Sequence, residues 1–143
     1  MAYIIAISNE KGGVAKTTST LSLGASLAET GHKVLLIDLD PQANLTLALG
    51  FEPGKVENTS GDILVDAAPL LDACRPTNIS GLDLIPANTA LEQAEQVLPV
   101  YLNFTLRLRD AIKTASPLNY EIVLIDCPPS LGAITINALT AAD

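Results

Sequence analysis

Residues 3 to 18 read YIIAISNEKGGVAKTT, and the fold turns on how this stretch divides. Residues 3 to 7, YIIAI, form a short apolar run rich in β-branched side chains, the composition of a buried strand. From 17 to 30, TTSTLSLGASLAET, Leu21, Ala25 and Ala28 recur at helical spacing. The pattern predicts strand, loop, helix. A loop so placed aims backbone N–H groups and a helix dipole at one spot, which makes an anion site. Lys16 brings charge to it, and Thr17 a hydroxyl suited to magnesium. Two features stand out: a second lysine, Lys11, and an alanine at 15. The strict phosphate-loop pattern G-x-x-x-x-G-K-[ST] fails at both glycine positions, where Glu10 and Ala15 stand.

Working outward, Gly31 suits the end of the first helix, and KVLLIDLD at 33 to 40 reads as a second continuous apolar strand, of the kind buried on both faces of a parallel sheet. A polar region with Gly and Pro, 50 to 61, leads to a weak helix around Asp62 to Asp66. A short strand is expected at 82 to 85, then a helix in NTALEQAEQVL that Asn88 caps with Glu92 nearby and Pro99 ends. The run 101 to 115 reads as a further helix, EIVLID at 121 to 126 as the fourth strand, and ITINALTAA as a last helix. Strands alternating with helices predict an α/β fold, a mostly parallel sheet flanked by helices. No repeat or linker divides the chain. The sequence stops at Asp143 directly after a helix, where such folds return to the sheet, so residues 1–143 read as the front part of one longer domain, truncated at the C-terminus.

The bulk numbers agree with one domain: 143 residues, 48% hydrophobic and 17% charged, can bury a core. The sequence shows no apolar run long enough to span a membrane and no signal-peptide pattern, so a cytoplasmic protein is expected. Cys74 and Cys127 match no metal or redox spacing and read as reduced thiols. His32 falls in a turn and reads as solvated. With eight Lys and Arg against 16 Asp and Glu, the net charge of −8 argues against nucleic-acid binding by this stretch. Arg107, Arg109 and Lys113 lie on one predicted helix and read as a solvated face.

KGGVAKTT departs by one residue from the lysine-first pattern K-G-G-x-G-K-T-T. It resembles the deviant Walker A motif of the ParA/MinD superfamily of P-loop ATPases. LLIDLDPQANLT at 35 to 46 resembles that family's switch I segment, and IVLIDCPPSLG at 122 to 132 its Walker B and switch II segment. The three stand in order, and the sequence is most similar to ParA/Soj partition ATPases. The resemblance implies a P-loop NTPase fold with ATP and Mg2+ as cofactors. The nucleotide would lie on Lys11, Gly12, Gly13, Val14, Ala15, Lys16, Thr17 and Thr18. Lys16 would contact the phosphates of its own subunit's nucleotide, and Lys11 those held by a partner subunit, so that dimerisation depends on ATP. Asp126 would hold magnesium through water beside Thr17, with Asp38 near that site, and Asp40 would position the attacking water. For Asp38-Leu39-Asp40-Pro41 the plainer reading, strand end and turn, stays open. Gln42 and Asn44 belong to the same segment, and Pro128 and Pro129 suit a loop that changes state with the γ-phosphate.

Taken as a whole, the resemblance implies an ATP-hydrolysing switch that segregates a chromosome or plasmid or positions another cargo. Its implied partners are a second copy of the chain, a ParB-like stimulating protein, and non-specific DNA contacted through a region beyond residue 143. Its implied place is the cytoplasm and the nucleoid. A MinD-like membrane-associated regulator is an alternative, against which D-P-Q-x-N speaks. A scaffold with weak or no hydrolysis is another, and Ala15 bears on it. A Cβ there crowds the phosphate or forces a costly dihedral, with a strain of about 1 to 3 kcal/mol. If φ at Ala15 is negative the cost is small.

Overall fold

The computed structural model describes residues 1–9, 11 and 15–143; the expectations for Gly12, Gly13 and Val14 lie outside them. Five strands, β1 (Tyr3–Ile7), β2 (Val34–Asp38), β3 (Arg75–Pro76), β4 (Leu82–Ile85) and β5 (Ile122–Asp126), form one sheet in the order β1-β5-β2-β4-β3. β1, β5, β2 and β4 run parallel, and only the two-residue β3 is antiparallel. The mostly parallel sheet flanked by helices is therefore present. The helices are α1 (Lys16–Glu29), α2 (Asn44–Ala48), α3 (Ser60–Asp66), α4 (Ala90–Val97), α5 (Arg107–Thr114) and α6 (Ala133–Ala141).

Strand parity decides which layer each residue enters. Val34, Leu36, Leu82, Leu84 and Leu124 face one side, where Ala28 of α1 and Leu45 of α2 meet them. Leu35, Ile37, Ile85, Val123 and Ile125 face the other, against Ile63, Leu64, Leu91, Leu108, Ile112 and Ile134 of the remaining helices. Burial on both faces explains why β2 shows no polar alternation. Gly24 lets α1 lie close: a Cβ there would stand 2.9 Å from Leu36 and 3.2 Å from Leu82. Gly31, at φ +96°, ends the helix, its N–H donating to Ala28.

Three local expectations are corrected. The helix read over 101 to 115 is confined to 107 to 114; Asn103 takes φ +58° and a single 3-10 turn, Phe104–Leu106, precedes it. The apolar spacing of residues 101 to 106 is that of a connector resting on α6, whose Asn137 donates to the carbonyl of Phe104 and accepts from the N–H of Leu108. α2 and β3 are additions; a five-residue helix and a two-residue strand hold too few side chains to show a period. Asn88 accepts from the N–H of Ala90, though Thr89 is the residue at the cap position.

Candidate functional site

Because four strands run parallel, their C-terminal ends share one edge, the place where open α/β sheets bind ligands. The register puts Ile7, Asp126 and Asp38 side by side across β1, β5 and β2. The ladder continues past the strands: Cys127 donates to Ile7 at 3.1 Å and Leu39 to Asp126 at 2.9 Å. The N-terminus of α1 abuts this edge. There Thr17 Oγ1 donates to Asp126 Oδ2 at 2.7 Å, uniting two residues that are 109 apart in sequence.

Asp126 is 1% exposed, and its Oδ1 is buried without a hydrogen-bond partner among the described residues. Burial raises its pKa, the Thr17 hydroxyl lowers it, the Asp40 charge raises it, and the Lys16 charge lowers it. An oxygen buried and unsatisfied is costly and calls for a partner. The atoms present, a hydroxyl and a carboxylate, are the hard oxygen donors that Mg2+ takes, and one or two protein ligands are its usual share when phosphates and waters supply the rest. The residues fit that ion. No group of three or more His, Cys, Asp or Glu that would cage a metal occurs among the described residues.

Asp38 is built differently. It is fully buried, and both oxygens are engaged: Oδ1 accepts the N–H of Asp40 at 3.1 Å, and Oδ2 the N–H of Thr46 at 3.0 Å and its hydroxyl at 2.7 Å. Thr46 Oγ1 in turn accepts the N–H of Ala87 at 3.0 Å, and Ser60 donates to the Asp38 carbonyl at 2.7 Å. The end of β2 is thus tied to α2 by the Asp38 carboxylate, to α3 by its carbonyl, and to the segment after β4 through Thr46. Burial pushes its pKa up to about 7 despite the Thr46 and Asp40 donors, with the Asp126 charge adding to the rise. These contacts describe a strand end and turn held by its own carboxylate.

Asp40 keeps 8% exposure and accepts the N–H of Gln42 at 2.9 Å. Lys16 is the first residue of α1, Thr18 is exposed beside it, and Lys11 is exposed, its N–H donating to Asn9 Oδ1. Ala15 takes φ +58° and ψ 31°, left-handed. The condition for a cheap alanine is not met, since this region is costly for any residue with a Cβ. Ala43, before α2, does the same at φ +55°. Cys127 is buried, and burial raises its thiol pKa to about 12; Cys74 is likewise raised by burial. Neither is poised to react. Glu95 escaped the sequence reading entirely: it caps α6 from α4, and no spacing in the sequence marks it.

A family model described as an AAA domain matches residues 2–143. The sporulation initiation inhibitor protein Soj of Bacillus subtilis is 50% identical over 143 residues, which is 100% of this chain and 56% of Soj. The chromosome partitioning protein ParA of Caulobacter vibrioides is 47% identical over 141 residues, 98% of this chain and 53% of ParA. Among solved structures, cobyrinic acid a,c-diamide synthase from Mycobacterium smegmatis with bound ATP analogue and magnesium is similar at a TM-score of 0.94 and 42% identity, covering 99% of this chain and 57% of that one. The chain spans about half the length of the relatives it matches.

Proposed function

The chain belongs to the AAA domain family, among its Soj and ParA relatives, and on that premise we propose that it is the nucleotide-holding part of an ATP-dependent partition switch. The observation that carries the reading is Asp126: one oxygen holds the Thr17 hydroxyl, and the other, at the start of α1, is buried without a partner among the described residues. The nucleotide's phosphates would lie at that helix start, where N–H groups and the dipole favour an anion and Lys16 adds a full charge. Thr17 and Asp126, the latter through water, would hold Mg2+, which when bound supplies neutralisation of phosphate charge. Catalysis by such a site is positioning and electrostatics. Asp38, locked by Thr46, fixes the turn that carries Asp40, and Asp40 is the group that would orient the attacking water. Lys11 would serve the phosphates of a second copy, making a homodimer dependent on ATP. A ParB-like protein would stimulate hydrolysis, and non-specific DNA would be met through regions beyond this chain. The cytoplasm and nucleoid are the proposed place; among the described residues no helix is long and apolar enough to cross a membrane.

The left-handed Ala15 favours a second reading, a nucleotide-dependent scaffold that hydrolyses slowly or not at all. Phosphate release from Mg-ATP separates the two. On the proposed function the chain releases phosphate, and Lys16→Ala lowers the rate by about 10²- to 10³-fold, the usual cost of one charge-stabilising donor. Binding of Mg-ATP without release supports the scaffold; absence of both overturns the nucleotide site.

A further inference from the structure

α6 starts where the loop from Asp126 ends, and its first turn is held from another element. Glu95 of α4 accepts the N–H of Ala133 at one carboxylate oxygen and the N–H of Ile134, at 3.3 Å, at the other. These are two of the N–H groups that a helix start leaves without intrahelical partners, and α6 has no side-chain cap of its own. A carboxylate there also meets the positive end of the helix dipole. Gly132 leaves room for it, since a Cβ at that position would fall on the Glu95 carboxylate. The intervening segment is pinned at both ends: Cys127 is buried and bonded to Ile7 at one, and the Glu95 cap holds the other. Between them Pro128 and Pro129 restrict the chain, and Ser130 closes a tight turn onto the Pro128 carbonyl at 2.8 Å.

We propose that Glu95 is a positioning residue of the nucleotide site: by capping α6 it sets the loop 128–131, and through it the exit of the chain from Asp126, without touching nucleotide itself. The proposal rests on the reading of Asp126 as part of that site. It differs from a plain stability role in one respect. Loss of the cap loosens the loop and slows hydrolysis at saturating ATP, while the sheet and the binding of Mg-ATP are kept.

The test uses Glu95→Ala, Glu95→Gln, Gly132→Ala and the Ala/Ala double variant of the whole chain, read by amide exchange and by phosphate release. Glu95→Ala and Gly132→Ala each raise exchange at residues 130–134 by about tenfold, the measure of one lost helix cap, with β5 unchanged. Glu95→Gln, which keeps one acceptor, falls between. The double variant is no worse than the worse single one, because both remove the same contact. Hydrolysis at saturation falls about tenfold, with half-saturation within about threefold, the split of an interaction that acts on the chemical step. Unchanged exchange in the loop, additive effects, or exchange rising equally in β5 overturns the proposal. If the parent chain releases no phosphate, the ATPase reading fails, and the exchange arms alone still decide whether Glu95 holds the loop.

Discussion

At the residue scale, Ala15 holds a conformation that costs a Cβ-bearing residue about 1 to 2 kcal/mol. Ala15→Gly removes this but adds back about 0.5 to 1 kcal/mol of backbone entropy lost on folding. The net expectation is a gain of about 0.5 to 1 kcal/mol in urea unfolding, and a tighter Mg-ATP complex to the extent that the loop relaxes when no ligand is bound. No gain in either measurement would show that the strain is absent. Asp38 yields a pH prediction. Its folded pKa, about 7, lies above the ordinary 3.8, so between those values the folded chain holds more protons than the unfolded one. Stability from this group is therefore lost as pH rises through that window. Urea midpoints taken in chelator from about pH 4.5 to 7.5 should fall, and Asp38→Asn should flatten that slope; a midpoint that rises in the parent chain would refute the assignment. Lys16, Thr17 and Asp126 were legible because motif and strand end coincide. The sign of φ at Ala15 and the pairing of Glu95 with α6 were not, since both are set by chain segments remote in sequence.

At the scale of elements, Thr46 of α2 joins neighbouring segments at this edge of the sheet. Its hydroxyl donates to Asp38 and accepts from Ala87, so α2 bridges β2 and the segment after β4. Thr46→Val keeps the shape and removes both bonds, leaving the Ala87 N–H without a partner and Asp38 Oδ2 with the Thr46 backbone N–H alone. A loss of about 1 to 3 kcal/mol in denaturant unfolding is expected, the cost of one unsatisfied buried group. A loss below about 0.5 kcal/mol, the range of ordinary surface changes, would mean that the network is not a structural tie. The long elements, α1 and the buried strands, could be read from periodicity and apolar continuity. The short ones could not: α2, β3 and the turn before α5 take their form from what they pack against, as the correction of 101–115 to 107–114 illustrates.

For the whole molecule, charge sets the first expectation. A net −8 with eight basic residues offers little for neutralising phosphates along a duplex, and Arg107 lies over the ring of Tyr101 while Arg109 pairs with Asp110 at 3.5 Å. This chain alone should give no gel shift of duplex DNA at moderate salt; a salt-sensitive shift would contradict that. The parallel sheet and its ligand edge were readable because three motifs fall at the ends of three apolar strands, and the register then aligned Asp38 with Asp126. The division of labour between those two aspartates needed the structure, since only hydrogen bonds distinguish a saturated carboxylate from one with an oxygen to spare. That spare oxygen makes the central claim testable by titrating ATP into the chain calorimetrically, once with Mg2+ and once with chelator. Saturable binding that requires Mg2+ is the predicted result; binding that is indifferent to Mg2+, or no binding at all, would contradict the account.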